Sequence, residues 1–407
     1  MISNLSFTMR LLLLFLAILS LSSAYAQKKE ISEARSNIKS RSNLSQAEAS
    51  MRGLLADSAN RRNVKIYLTL AEAVRAQYEE ANEKLYLKEG YDTAAFFDTA
   101  RRMFLAYESL DSIEMLPDRK GRVKLKYREK NAEYLNKYRR NLYNGGVYFL
   151  HKKDYVRTFA MMDTYMDCRR QPLFAEYSAD EDPLYVPAAF WTVFCGYKLN
   201  SPDSTLKYSS IALQEKKFRR RTLAYMSSAY LWQGDTLKYV ETLRRGFDEN
   251  KKSKFFFKRL MDYYNAVNQL DTAMSIADEA LKSDSLNALF LFAKSNILLN
   301  IGDYAGCIAI SDTLLARNDT LPDVYLNAGV SYLNLALALE KDVKSKRTDR
   351  KKILGYYRKA LPYMEKYREC EPDDKERWAP SLYNIYLKLN MGRKFEEISD
   401  ILRKMRE

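Results

Sequence analysis

The sequence predicts an all-α fold, an α-solenoid made of stacked helical hairpins. Its 407 residues include 13 glycines and 9 prolines, and 47% of the chain is apolar. That balance favours packed helices and argues against disorder. Small and large apolar residues also recur with a period of about 34 residues, from Lys254 to about Ala338. One helical hairpin cannot bury its apolar stripe alone, so we expect neighbouring hairpins to stack on one another.

The recurrence is clearest when Lys254 is taken as position 1 of a repeat. The first half of the unit then carries the large apolar residues Phe257, Leu260 and Tyr264, and the second half carries Ala273, Ala277 and Ala280. The next two units carry, in corresponding positions, Leu291, Leu298, Cys307 and Leu314, then Tyr325, Ala328, Gly329 and Tyr332. This pattern resembles the tetratricopeptide-repeat (TPR) family, whose unit is a helix–turn–helix of about 34 residues. The resemblance implies a right-handed superhelix with a concave groove.

The first residues are typical of a secretory signal peptide. Arg10 precedes an apolar run at 11–21, and Ala24 and Ala26 supply the small residues of a cleavage site. The run is shorter than the roughly 20 residues that a membrane-spanning helix needs. We expect cleavage after Ala26 and export to the periplasm or the periphery of the cell envelope. An uncleaved anchor is the alternative. No cysteine lies near this site, and no later stretch is long and apolar enough to cross a bilayer.

The formal net charge of +15 suggests anionic partners. For an exported chain this excess favours an anionic envelope surface or acidic proteins over nucleic acid, with simple solubility as the alternative. Part of the excess lies in a basic connector at 117–138. Its candidate anion-binding residues are Arg119, Lys120, Arg122, Lys124, Lys126 and Arg128. An ordinary solvated helix face is the alternative interpretation of this segment.

Residues 27–116 are predicted to form an N-terminal helical region that departs from the repeat. Apolar residues spaced by three or four predict helices at 63–88 and 93–110, with a turn at Gly90. We interpret this hairpin as a degenerate repeat that caps the array, because a terminal repeat exposes one face to water. Residues 27–44 contain few apolar groups and are expected to be weakly ordered.

About seven repeats are predicted over 139–407. Units begin near Arg139, at 186, 220, 254, 288 and 322, and finally at Lys375. Residues 173–185 are predicted to be an inserted loop. The sixth unit contains a basic insertion near 339–357, which we interpret as extensions of both helices around an exposed tip. Pro362 lies in the second of these helices and is expected to kink it, because proline removes a backbone donor.

The residues that could support catalysis are sparse. His151 is the single histidine, so any Ser–His or Cys–His arrangement would need it. The cysteines lack metal-ligand spacing, and no phosphate-binding loop is present. We therefore predict no enzyme, no cofactor and no metal site. Free thiols are preferred to a disulfide; the one pairing considered is Cys168 with Cys195.

The TPR resemblance implies that the first helix of each unit lines the groove. The corresponding positions hold aromatic, basic and asparagine side chains, namely Tyr143, Asn144, Phe190, Tyr197, Arg221, Tyr225, Trp232, Lys258, Arg259, Asn296, Asn327 and Asn334. Asparagine can donate to and accept from a peptide backbone, aromatic rings can anchor a partner, and the basic pair at 258–259 favours an acidic ligand. Each aromatic side chain could equally pack against the next unit. The carboxylate clamp of some TPR adaptors is not matched, because Phe292 replaces its lysine.

These observations predict a non-enzymatic, exported TPR scaffold of the bacterial cell envelope. It would bind a protein or peptide in its groove, with an anionic envelope surface as a further partner. One rival function is glycan or nutrient binding in an outer-membrane uptake system, which the lack of a lipid-attachment cysteine and of a large non-helical insertion opposes. The other rival is an envelope enzyme. The sequence does not decide whether the groove or the basic convex surface is the binding face.

Overall fold

The computed structural model describes residues 26–118, 120–341 and 347–407. Within these ranges the chain forms helices and turns and no strand, which confirms the all-α prediction. The predicted signal segment up to residue 25, Arg119, and residues 342–346 of the basic insertion lie outside the described residues. None of the described helices is both long and apolar enough to cross a membrane. The helices group into two compact units that divide after Asp235.

Four helices open the first unit: α1 (26–40), α2 (Leu44–Ala56), α3 (Val64–Tyr86) and α4 (Thr93–Glu114). The two long ones, α3 and α4, are the helices predicted from the apolar spacing. Each begins after a polar side chain that accepts a hydrogen bond from the helix backbone. Asn63 accepts from the N–H of Lys65 at 3.1 Å, and Asp92 accepts from the N–H of Ala94 at 2.8 Å. Such caps satisfy donors that the first helical turn leaves free.

The expectation that 27–44 is weakly ordered is wrong over most of this segment. Residues 26–40 form α1. Its apolar side chains Ile31 and Ala34 are buried in the core of the first unit, and Ile38 packs against that core half-buried. The guanidinium of Arg35 donates a hydrogen bond to the hydroxyl of Thr69 on α3 at 3.2 Å. Two buried apolar residues one turn apart, together with this tertiary hydrogen bond, hold a helix whose composition alone predicts little order.

The first unit continues with α5 (Arg128–Tyr138), α6 (Arg140–His151), α7 (Tyr155–Asp167), α8 (Tyr185–Lys198), α9 (Pro202–Leu206), α10 (Ser209–Ala212) and α11 (Lys216–Gln233). Gly196 explains why the 186 repeat fits the pattern poorly. A Cβ at this position of α8 would meet the backbone at Ser204 and Thr205. The second helix of this repeat is split into α9 and α10, and its backbone approaches α8 at the place where other units carry a large side chain.

The insertion predicted at 173–185 is folded against the repeats. Leu173 and Phe174 form a short 3₁₀ turn with Pro172 and are both buried. Further along, the carboxylate of Asp182 accepts a hydrogen bond from the backbone N–H of Leu184 at 2.9 Å. The loop therefore adds to the core of the first unit at one end and caps the approach to α8 at the other.

The second unit shows the 34-residue phase in its helix boundaries. Its helices are α12 (Thr236–Glu249), α13 (Lys254–Ala266), α14 (Leu270–Ser283), α15 (Ala288–Ile301), α16 (Tyr304–Leu315), α17 (Pro322–Lys341), α18 (Arg347–Cys370), α19 (Lys375–Lys388) and α20 (Gly392–Lys404). The first helices of three successive repeats begin at 254, 288 and 322, and the second helices of the repeats predicted at 220, 254 and 288 begin at 236, 270 and 304. Both series have the same step, as the sequence pattern predicts. Pro362 lies inside α18.

Candidate functional site

Four aromatic side chains of the first unit form one ladder of rings between α8 and α11. We call Phe194, Tyr197, Tyr225 and Trp232 the aromatic stack. Tyr197 lies near-parallel to Tyr225, with ring centroids 4.6 Å apart and planes at 29°, and near-parallel to Trp232 at 5.6 Å and 19°. Phe194 lies 5.8 Å from Tyr225. The spacing along each helix places these rings on one face, since residues three, four or seven apart are neighbours on a helix.

The aromatic stack is open at one end. Trp232 keeps 42% of its surface exposed and the adjacent Leu231 keeps 55%. Tyr197 and Tyr225 are half-buried. Partial burial raises the pKa of the Tyr225 phenol above its ordinary value, although the positive charge of Arg221 opposes the shift. The phenol is therefore neutral at physiological pH, and the stack presents a flat, uncharged surface with polar edges, which suits contact with a partner.

Positive charge is concentrated beside the stack at the start of α11. The first six residues of this helix include five cations: Lys216, Lys217, Arg219, Arg220 and Arg221. The N-terminal end of a helix is itself positive, so cations there are unfavourable. No side chain caps this end of the helix. On α8, the ammonium of Lys198 lies 5.6 Å from the ring of Phe194. This side of the stack favours negatively charged groups on a partner.

The other groove positions predicted in the first unit occupy different environments. Phe190 is 2% exposed and stacks on Phe218 at 4.3 Å with planes at 10°, so it belongs to the core. Tyr143 is half-buried, with its ring 5.9 Å from that of Tyr165. Asn144 is exposed on α6. Of the predicted set, Tyr197, Tyr225 and Trp232 come together, and Arg221 lies exposed one turn before Tyr225.

In the second unit the predicted basic and asparagine positions divide between surface and interior. Lys258 is exposed, whereas the guanidinium of Arg259 lies over the ring of Phe255 at 4.1 Å. Asn327 is 5% exposed. Its side-chain nitrogen donates to the side-chain amide oxygen of Asn296 at 2.5 Å and to the hydroxyl of Ser295 at 3.1 Å. Both donors of the Asn327 amide are therefore used within the fold. Asn334 is half-buried on α17.

Sequence reasoning missed two aromatic residues that support the stack. Phe218 packs on Phe190, and Trp191 lies 5.7 Å from Phe194 with its plane near perpendicular. Phe218 precedes the repeat boundary expected at residue 220, because α11 begins at Lys216. No ordinary helix-start signal marks Lys216, because no side chain caps this end and the first turn carries cations.

The residues predicted to bind anions at 119–128 differ in how much they are already engaged. Arg128 is paired with Asp111 through two hydrogen bonds, at 2.7 and 2.8 Å. Arg122 pairs with Asp118 at 3.3 Å. The side chains of Lys120, Lys124 and Lys126 are exposed, and Arg119 lies outside the described residues. Arg122 is exposed as well, so the lysines differ from it in being exposed without the ion pair that Arg122 makes with Asp118.

The described part of the chain contains all four cysteines. All four cysteines are free; Cys168, Cys195 and Cys307 are buried, and Cys370 is half-exposed. Burial raises the pKa of Cys168 well above its ordinary value and that of Cys195 to about 12, so both remain neutral thiols. Among the described residues no group of three or more His, Cys, Asp and Glu side chains could hold a metal ion. His151 is exposed at the end of α6.

The chain was compared with known families, curated proteins and solved structures. No family model and no curated protein matches it. A solved structure titled as the C-terminal part of a TPR repeat-containing protein from Cytophaga hutchinsonii is 11% identical, covers 62% of this chain and 91% of its own, and has a TM-score of 0.43. MamA from AMB-1 is 16% identical over 47% of this chain and 94% of its own, with a TM-score of 0.34.

YrrB, described as a TPR protein with an unusual peptide-binding site, is 14% identical over 48% of this chain and 90% of its own, with a TM-score of 0.35. The first helices that begin at 254, 288 and 322 are separated by the same number of residues. This regular step in the chain itself is the evidence for a repeat architecture. In the second unit the described helices form successive hairpins with a common step, the arrangement that the TPR resemblance implies. The aromatic stack lies on α8 and α11, the first helices of two successive predicted repeats, where that resemblance implies a groove.

Proposed function

We propose that this protein is a non-enzymatic TPR scaffold that binds an extended protein segment across the aromatic stack. The stack itself carries the proposal. Its rings are ordered by one another, so a partner can bury apolar surface on them at little further cost in side-chain entropy. Tyrosine and tryptophan also dominate the energetics of many protein interfaces.

The proposed partner segment carries acidic residues next to an apolar anchor. Lys216, Arg220 and Arg221 at the start of α11 are exposed and supply the complementary charge. Lys217 is paired with Glu215, and Arg219 donates to the carbonyl of Leu213. Arg221 stands on the same helix face as Tyr225. Trp232 and Leu231 supply the exposed apolar surface at the other end of α11. We further propose that the scaffold works in the cell envelope, on the strength of the signal-like sequence at 10–26.

A displayed library of random peptides tests this proposal, because it does not require the natural partner to be known. Peptides selected on the full chain are measured against the wild type and Trp232→Ala by titration calorimetry. We expect the substitution to weaken binding at least tenfold, as loss of a central aromatic anchor does at other interfaces. Enriched peptides should combine acidic with apolar residues.

The matched control is Tyr86→Ala, which removes another exposed aromatic side chain from the same unit, 85% exposed on α3. Circular dichroism establishes that both variants fold. Equal affinity of the two variants would place the binding surface elsewhere and refute the proposal. Selection of peptides without acidic residues would refute the role given to the start of α11.

A further inference from the structure

The loop between α4 and α5 presents apolar and cationic side chains together to solvent. Met115, Leu116, Val123 and Leu125 are all exposed, and Val123 keeps 52% of its surface. Lys120, Lys124 and Lys126 are exposed in the same segment. In the run 123–126, apolar and basic residues alternate. Exposed apolar side chains clustered in one loop mark an interaction surface more often than singly scattered ones do.

Two further cations reach this loop from the start of α3. Arg62 and Lys65 line a cavity of about 440 Å³ together with Arg122, Lys124 and Lys126. Arg62 and Lys65 precede the other three cations by about 60 positions in the sequence, and only the fold brings them together. The same cavity is lined by the apolar side chains of Val64, Ile113 and Leu116. Cationic groups from two segments and apolar side chains therefore line the same cavity.

The acidic side chains at this cavity are already engaged by the protein. Asp118 accepts hydrogen bonds from the backbone N–H groups of Lys120, at 2.8 Å, and Arg122, at 3.0 Å, and is paired with the Arg122 guanidinium. These contacts hold the pKa of the Asp118 carboxyl below its ordinary value. Glu114 is buried and accepts from the N–H of Tyr127 at 3.2 Å. Asp118 and Arg122 are also exposed but pair with each other, which leaves the lysines and the apolar side chains of the loop to meet a partner.

We propose that the described residues of this loop, 115–118 and 120–126, dock this protein on the surface of an anionic lipid bilayer. Lys65, Lys124 and Lys126 contact headgroup phosphates, and Val123 and Leu125 enter the boundary between headgroups and acyl chains. Basic residues are attracted to anionic leaflets, and exposed apolar groups add binding by leaving water. A soluble phosphate compound would satisfy the cations but would leave the apolar side chains exposed. The proposal is independent of peptide binding by the aromatic stack.

Hydrogen–deuterium exchange of the full chain tests the proposal locally. Exchange at 115–127 is compared with and without vesicles of phosphatidylglycerol and phosphatidylcholine, and with vesicles of phosphatidylcholine alone. We expect slower exchange of the loop on the mixed vesicles only. Because the readout is confined to the loop, any vesicle binding by residues 1–25 does not contribute to it.

Two variants separate charge from apolar insertion. Lys65→Glu/Lys124→Glu/Lys126→Glu and Val123→Ser/Leu125→Ser should each reduce the protection of the loop at least tenfold. The matched control, Lys252→Glu/Lys282→Glu/Lys404→Glu, makes the same charge change at other exposed lysines and should keep the protection. Equal loss in the control, equal protection on phosphatidylcholine alone, or no protection at all would overturn the proposal. So would the same protection by inorganic phosphate, which would show an anion site without lipid docking.

Discussion

Arg128 donates two hydrogen bonds from its guanidinium to the carboxylate of Asp111. Its Nε donates to Asp111 Oδ1 at 2.7 Å and its Nη2 donates to Oδ2 at 2.8 Å. Asp111 lies on α4 and is 3% exposed, while Arg128 is the first residue of α5. This pair fastens the first helix of the basic connector to the N-terminal helices, and it removes Arg128 from the cations that face solvent.

Arg128→Ala should therefore destabilise the first unit strongly. The substitution leaves the carboxylate of Asp111 buried without its cation, which typically costs about 3–5 kcal/mol when a buried pair loses one member. Urea unfolding followed by circular dichroism measures the change in the free energy of unfolding. The control Lys137→Ala breaks the exposed pair of Lys137 with Glu133 and should leave the free energy of unfolding nearly unchanged. Equal effects of the two substitutions would contradict the structural role of Arg128.

Glu108 should make the stability of the protein fall as pH rises. Burial raises the pKa of its carboxyl to about 8, the nearby charge of Asp167 adds to the shift, and Arg101 opposes it. Oε1 of Glu108 has no hydrogen-bond partner among the described residues. Between the ordinary value of 4.5 and about 8, the unfolded chain loses this proton while the folded chain keeps it. The stabilisation is thus complete below the lower value and is lost as pH rises through the upper one.

Glu108→Gln tests this account because it keeps the shape of the side chain and removes the titration. The wild type should lose on the order of a few kcal/mol of unfolding free energy between about pH 5 and about pH 9 through this group. In the glutamine variant this part of the pH dependence should disappear, so that the variant is the more stable protein at the higher pH. Parallel pH profiles for the two proteins would show that Glu108 ionises normally.

The sequence predicted what depends on local periodicity and failed where distant residues meet. The helices that begin at Lys254 and Lys375 start where the repeat pattern predicts. The spacing of nearby apolar residues along the chain is enough to locate these helices. The satisfaction of Asn327 by Asn296 and Ser295 follows from packing between repeats, so a groove position and an interior position look alike in the sequence. Residues 26–40 form a helix through tertiary contacts that their own composition does not reveal.

The candidate site divides in the same way. Tyr197 and Trp232 are identified by repeat position, but their stacking depends on the relative rotation of α8 and α11. The basic residues of the 123–126 segment can be recognised from the amino-acid sequence alone. That Arg62 and Lys65 join it at one cavity depends on how α3 packs beside the end of α4, which no local pattern encodes. Sequence reasoning thus finds candidate residues, while the fold selects which of them act together.

The four thiols should differ sharply in their reaction with a maleimide. Cys370 is half-exposed and should be labelled in the native protein, whereas Cys168, Cys195 and Cys307 are buried and should be labelled only when the chain opens. Intact mass spectrometry under non-reducing conditions counts the labels. One label in buffer and four in denaturant are expected. Two fewer labels in denaturant would reveal a disulfide and contradict the free state of Cys168 and Cys195.

Two glycine-to-alanine substitutions should change stability in opposite directions. In Gly196→Ala the new Cβ meets the backbone at Ser204 and Thr205, which cannot rotate away as a flexible side chain could. Forcing α8 and α9 apart should cost about 1–3 kcal/mol, the usual range for overpacking. In Gly355→Ala the new methyl group, in the interior of α18, meets no atom of the described residues within 4 Å beyond its chain neighbours and its own helix backbone.

Gly355→Ala should therefore stabilise α18 by up to about 1 kcal/mol, because glycine in a helix interior loses more backbone entropy on folding than alanine does. Thermal unfolding of both variants beside the wild type measures the two effects under one set of conditions. A stable Gly196→Ala protein would mean that α8 and α9 lie further apart than the structure places them. The split second helix of this repeat would then need a cause other than the close approach at Gly196.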